Sequence, residues 1–180
     1  MMRKKPMLAY PVSAKPIDYS KPTFIQPKLD GVRCIIQAEF TDVFKNLKVK
    51  AYSRTGKEWK NINHILIELI PFFDKHPDVI LDGELYNHDL RDDFEKIISL
   101  VRKTKPTDEA RLEAAQYTEF HCYDIIDETK TFEERNTFIG QTVPRNHCVK
   151  HVPTNLVFRE DDAKVYHQRN LDAGYEGSIV

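Results

Sequence analysis

The sequence predicts an α+β fold in which antiparallel sheets are flanked by helices. Three observations carry that expectation. Runs with two-residue alternation, such as "LKVKAYSR" and "PDVILDGELY", recur along the chain. Capped runs with a helical apolar stripe stand between them. An Asp-Gly pair at 30–31 sits between two apolar strand-like runs, as in a hairpin turn. With 180 residues, 41% of them hydrophobic and 31% charged, the chain suffices for one ordinary domain with a buried core.

Prolines are dense up to Pro27, so residues 1–22 read as an extended N-terminal segment and 23–180 as the folded domain. "FIQPKLDGVRC" opens that domain, with Gln26, Lys28 and Asp30 on one strand face and Ile25, Pro27 and Leu29 on the other. "RCIIQAEF" and "LKVKAYSR" read as further strands. "NHILIELIPFFDKH" has a helical stripe of Ile65, Leu66, Leu69 and Ile70, with Asn63 as N-cap and Pro71 as the end or a kink. In "PDVILDGELY", Val79 and Leu81 share one face; Ile80, Asp82 and Glu84 share the other.

"DLRDDFEKIISLVRKTKP" reads as a helix with acids at its start and bases at its end, both suited to the helix dipole. Its apolar face is Phe94, Ile97, Ile98 and Val101. A second helix covers 107–117 with Thr107 as cap, and "EFHCYDII" is again a strand. Thr131 and Glu134 form a capping-box pattern for a helix that Gly140 closes. After a strand near 147–152, "EDDAKVYHQRNLDAG" reads as a helix stopped by Gly174, and "YEGSIV" begins another strand.

The net charge of −1 supplies no overall basic field for nucleic acid. Contact with DNA would rest on local clusters, of which "MMRKK" and "RKTK" at 102–105 are candidates; a solvated tail and a basic helix end are the plainer alternatives. Cys34, Cys122 and Cys148 are odd in number and form no CxxC, which argues for reduced thiols. The seven histidines show no HExxH and no zinc spacing. There is no apolar run of membrane length and no signal peptide, so the expectation is a cytoplasmic or nucleoid-associated protein, with a viral or phage origin open.

"KLDGVR" poses the chemical question. Read plainly, it is a turn. Read as a site, it needs a reactive lysine, whereas an ordinary lysine is unprotonated in only about one molecule in two thousand at neutral pH unless neighbouring cations or a metal lower its pKa. Arg33 supplies such a cation and a fork suited to phosphate.

These residues resemble the nucleophile motif KxDGxR of the ATP-dependent DNA ligases and of their relatives, the messenger-RNA capping enzymes. The remaining motifs follow in order. "SRTG" is similar to the stretch whose arginine, here Arg54, contacts the phosphate of the DNA end or of the nucleotide. "LDGELY" resembles the DGE motif, with Glu84 matching the carboxylate that contacts ribose and helps bind metal. "FHCYDII" is similar to the stretch whose aromatic ring stacks on adenine; Tyr123 matches best, and Phe120 stays open as its rival. "YEGSIV" matches EGxxV, with Glu176 as the second metal-linked carboxylate, a glutamate where capping enzymes usually carry aspartate. The resemblance runs from about residue 5 to residue 180.

The resemblance implies an ATP-grasp-like nucleotidyltransferase domain that uses ATP and Mg²⁺ (or Mn²⁺) and acts as a monomer on nicked double-stranded DNA in replication, repair or recombination. Lys28, Asp30 and Arg33 would carry the catalysis. Gln26, Lys28, Arg33, Arg54, Glu84 and Tyr123 would bind ATP, Glu84 and Glu176 the metal, and Arg54 the DNA. Gln26 departs from the acidic residue often found there, though its carbonyl accepts the same hydrogen bond from adenine. The family's last motif, a lysine pair beyond EGxxV, and its OB-fold domain do not follow within the 180 residues. The expectation is therefore a domain incomplete at its C-terminus, slow or inactive alone in forming lysyl-AMP. An RNA ligase, a capping enzyme and an inactive nucleotide- or partner-binding remnant are the alternatives.

Overall fold

The computed structural model describes residues 1–40 and 46–180. In chain order the elements are β1 (Thr23–Lys28), β2 (Val32–Phe40), β3 (Leu47–Tyr52), α1 (Asn63–Lys75), β4 (Ile80–Tyr86), a single 3-10 turn (His88–Leu90), α2 (Phe94–Val101), α3 (Asp108–Tyr117), β5 (Glu119–Ile125), α4 (Phe132–Thr142), β6 (Val149–His151), β7 (Asn155–Val157), α5 (Glu160–Asp172) and β8 (Gly177–Ile179). They fall into two compact units. One comprises Met1–Pro6 and Gly31–His151, the other Met7–Asp30 and Val152–Val180.

The larger unit is built on a five-stranded sheet of order β3-β2-β4-β5-β6. Its pairs are antiparallel except β5–β6, which run parallel with α4 as the crossover. Alternation sorts the two faces as expected. Cys34, Ile36 and Ala38 of β2 join Leu81 and Leu85 of β4 in the main core, which also takes Ile65, Leu69, Phe72 and Phe73 of α1. Ile35 and Ile80 face the other way in a small cluster with Ile126.

Several local expectations hold and others shift. Thr131 and Glu134 complete a reciprocal capping box on α4. Thr107 caps α3 by accepting from the Ala110 amide at 3.2 Å. The long helix read from residue 89 is instead the 3-10 turn and a separate α2, which Asp93 caps. Asn63 is the first residue of α1 rather than its cap, because Ile62 takes that position and is fully buried. Pro71 does not end α1: it lies on the exposed side, while Phe72 and Phe73 behind it anchor the last turn in the core. That anchoring rotates the stripe and leaves Ile70 42% exposed. Gly140 does not close α4, which runs on to Thr142.

The smaller unit is a three-stranded sheet of order β7-β1-β8 with α5. Its core is Ile25, Val157 and Ala163, with Tyr19 and Tyr166 packed against it. β1 pairs with β7 through Thr23–Ile25 and with β8 through Gln26–Lys28. β7, only three residues long, carries no strand signal in the sequence. Among the described residues, no helix is long and apolar enough to cross a membrane.

Asp30–Gly31 is not a hairpin turn. β1 belongs to one sheet and β2 to the other, so the dipeptide carries the chain from the smaller unit into the larger. Gly31 answers to packing instead. A Cβ there would lie 2.5 Å from the Leu85 carbonyl oxygen and 2.6 Å from Cγ of Glu84. Only glycine lets the chain pass β4 so closely.

Candidate active site

In the smaller unit, β1 ends on Lys28, which stands opposite Gly177 of β8. The amide of Glu176 donates to the Lys28 carbonyl at 3.2 Å, tying the two motifs together through the backbone. The Lys28 ammonium and the Glu176 carboxylate form an ion pair. Both side chains remain open to solvent, 43% and 45% exposed, so the pair is exchangeable rather than locked. Two residues earlier, the buried Gln26 donates from Nε2 to Oγ1 of Thr154 at 2.9 Å. Asp30 lies past the end of β1 and is exposed.

The larger unit gathers a second group on the polar side of its sheet. Register sets it: Arg33 of β2 is the cross-strand partner of Glu84 of β4. Arg33 grips the neighbouring Asp82 with two hydrogen bonds, Nε to Oδ1 at 2.7 Å and Nη2 to Oδ2 at 2.5 Å. Asp82 is almost fully buried. Burial pushes its carboxyl up to about 6, and the hydrogen bonds from Arg33 hold the shift back, so it is ionised at neutral pH.

Tyr123 reaches this group through an irregularity. Asp82 pairs with Asp124 and Gly83 with Cys122, which leaves Tyr123 as an extra residue, a β-bulge in β5. The bulge interrupts alternation. Cys122 and Ile125 stay in the core, while Tyr123 and Asp124 are both placed with the polar groups. The phenol of Tyr123 donates to Oε2 of Glu84 at 3.3 Å, and the Arg33 guanidinium carbon lies 5.1 Å from the ring centroid. Burial, then the charges of Asp82 and Glu84, raise the phenol well above its ordinary range. Phe120, the other aromatic candidate, is fully buried in the main core.

Gly83 makes the close strand pairing possible. A Cβ there would sit 2.4 Å from the His121 carbonyl oxygen and 2.6 Å from the Phe120 ring. Its neighbours Asp82 and Asp124 place like charges directly opposite one another. Each has its own arginine. Arg135 of α4 binds Asp124 through Nε to Oδ1 at 2.7 Å and Nη2 to Oδ2 at 2.9 Å, and donates from Nη1 to the Lys130 carbonyl at 2.8 Å. Neither arginine–aspartate pairing is legible in the sequence, where Asp82 shows only as one residue of the strand face it shares with Ile80 and Glu84. The available signal was an arginine four residues past the Thr131 cap, facing a strand that carries an acid.

Arg54 belongs to the larger unit. It is exposed on the turn after β3, which the Gly56 amide closes by donating to the Ser53 carbonyl at 2.9 Å. Lys28 and Glu176 are thus brought together in one unit, and Arg33, Glu84 and Tyr123 in the other. Among the described residues, no three His, Cys, Asp or Glu side chains gather as a metal cluster.

The family model described as the ATP dependent DNA ligase domain matches residues 6–180. A comparison with curated protein sequences finds no match. Solved structures share the fold at low identity. A Lig E DNA ligase aligns with a TM-score of 0.68 at 18% identity, covering 98% of this chain and 61% of its own. Chlorella virus DNA ligase-adenylate aligns at 0.63 and 19%, covering 97% and 58%. An archaeal ATP-dependent RNA ligase aligns at 0.64 and 17%, covering 98% and 44%. The chain therefore spans about 40–60% of the length of the ligases it matches. A match that takes in the KLDGVR, LDGELY and YEGSIV stretches together, over a shared mixed α+β fold, leaves one assignment: the chain belongs to the ATP-dependent DNA ligase domain family.

Proposed function

We propose that this chain is the adenylation domain of an ATP-dependent DNA ligase and that Lys28 is its nucleophile. The observation that carries this reading is the exposed Lys28 amine at the end of β1, joined through backbone and side chain to Glu176. Lys28 sheds a proton, and its amine attacks the α-phosphate of ATP. A phosphorus–nitrogen bond forms, the bond to the β-phosphate oxygen breaks, and pyrophosphate leaves. AMP then passes to the 5′-phosphate at a nick, and the 3′-hydroxyl displaces it to seal the strand. Such transfers depend on positioning and charge stabilisation.

Each side chain has a role consistent with its surroundings. Tyr123 stacks on adenine, its ring fixed by Glu84 and Arg33. Gln26 reads the base, held by Thr154. Arg33, oriented by Asp82, and Glu84 meet ribose and phosphate. Asp30 orients Lys28, and Arg54 contacts phosphate. The carboxylates of Glu84 and Glu176 are hard oxygen donors of the kind that hold Mg²⁺ or Mn²⁺ together with substrate phosphates, and such an ion neutralises phosphate charge when bound.

The test is covalent capture of AMP. Long incubation with α-labelled ATP should leave a slowly accumulating label on the wild-type chain and none on Lys28→Ala, with α-labelled GTP giving none on either. Label from GTP alone would move the reading to a capping enzyme, and undiminished label on Lys28→Ala would end it. The likeness to an archaeal RNA ligase favours a second reading, that the nick lies in RNA. Transfer of AMP to nicked RNA in preference to nicked DNA would select it.

A further inference from the structure

The larger unit carries a groove of about 490 Å³ at the β3 edge, with a wall from α1 and another from residues 104–106 and α3. Lys48, Lys50, Lys60, Lys105 and Arg111 line it, against a single carboxylate, Glu58. In a chain of net charge −1 this is a local surplus of four positive charges. Among the described residues, Lys50 alone of the five pairs with carboxylates, Glu39 at 3.6 Å and Glu58 at 3.9 Å. Lys48, Lys60, Lys105 and Arg111 are exposed. Cations brought together without counter-charges repel one another, and a polyanion relieves that repulsion.

The groove also touches the backbone of β2, the strand that carries Arg33. Trp59 lines it, and the Trp59 indole donates to the backbone carbonyl of Arg33 at 3.3 Å. Resting on the proposed ligase function, we infer that this groove seats the sugar-phosphate backbone of a nucleic-acid duplex, as a contact separate from the residues that handle ATP. No base-reading geometry is needed. Lysines neutralising phosphates give sequence-independent affinity, typically with dissociation constants of about 10⁻⁴–10⁻⁶ M, that falls with salt.

Fluorescence anisotropy of the 180-residue chain with labelled unnicked duplexes, from 50 to 200 mM salt, tests this. The triple variant Lys48→Gln, Lys60→Gln, Lys105→Gln removes exposed charges without disturbing the core. Each phosphate contact contributes about 3.5-fold to the affinity lost over that salt range. The wild type should therefore lose about 40-fold more than the variant if all three contacts are made. The matching triple arginine variant should behave as wild type. DNA and RNA duplexes of equal length distinguish the source of the backbone. An unchanged salt slope in the glutamine variant, wild-type chain that ignores both duplexes, or poly-glutamate competing equally at equal charge would each overturn the inference. ATP binding, followed in parallel by calorimetry, separates the two readings. A groove that binds duplex in a chain that takes no ATP stands without the ligase reading. ATP binding with charge-indifferent duplex binding leaves the ligase reading and ends the groove.

Discussion

The two units hold their acidic side chains in opposite ways. In the larger, Asp82 and Asp124 are buried, cross-strand partners, and each is gripped by two nitrogens of its own arginine. In the smaller, Glu176 meets Lys28 with nearly half of each side chain in solvent. A buried pair broken on one side leaves a charge stranded in low dielectric, whereas an exposed pair is replaced by water at little cost. The difference teaches which groups are framework and which are free to exchange partners. The arginine–aspartate pairs set the positions of Arg33 and Tyr123; the Lys28–Glu176 pair stays open to solvent and to exchange.

The largest effect expected from this contrast is at Arg135. Arg135→Leu strands Asp124 opposite Asp82 and should cost about 3–5 kcal/mol in urea unfolding. Arg135→Met combined with Asp124→Leu should recover most of that loss, since an apolar pair of similar volume carries no desolvation penalty. A single-variant loss below about 1 kcal/mol would place Asp124 among the exchangeable acids.

Asp82 sharpens the comparison through pH. Its folded-state pKa of about 6 stands above the ordinary carboxylate value of 3.8. A raised value means that the native state holds the proton more tightly, so the contribution of this carboxyl is fully present below about pH 4. It is lost as pH rises through about 6. The shift corresponds to about 3 kcal/mol at most. Unfolding free energies of wild type and Asp82→Asn, measured between pH 4 and 7, should diverge across that window with the wild type losing ground as pH rises. A flat difference would mean that Arg33 outweighs burial.

The glycines divide along similar lines. Gly83→Ala forces a Cβ against a backbone oxygen and should destabilise by about 1–3 kcal/mol. Gly140→Ala meets nothing within 4 Å inside α4 and should stabilise by about 0.5–1 kcal/mol. Thermal melts of the two variants moving in the same direction would contradict the packing account.

What could be read from the sequence follows from the range of the forces involved. Caps and capping boxes act over three residues, so Thr107, Thr131 and Glu134 were legible. Alternation acts over two, so the faces of β4 were legible as well. Asn63 does not cap α1, Pro71 does not end it and Gly140 does not close α4, because tertiary burial of Ile62, Phe72 and Ile139 overrides local preference. The bulge at Tyr123 needs two strands to exist, and the Arg33–Asp82 pairing spans 49 residues, beyond the reach of any local pattern. The motif residues themselves were legible in order, but not that Asp30–Gly31 passes between sheets instead of turning a hairpin.

The smallest stability effect belongs to the exposed pair, and there the contrast can be broken most cleanly. Glu176→Gln keeps size and hydrogen-bonding capacity while removing the charge that faces Lys28. With both side chains more than 40% exposed, urea unfolding should change by less than about 1 kcal/mol. Capture of AMP from ATP should nevertheless fall, since the variant loses the carboxylate assigned to the phosphates' metal ion and to the nucleophile. A protein that keeps its stability and loses AMP capture marks Glu176 as exchangeable and functional. A loss of stability comparable to that of Arg135→Leu would instead make the pair framework, and Lys28 would then be a structural lysine at a strand end.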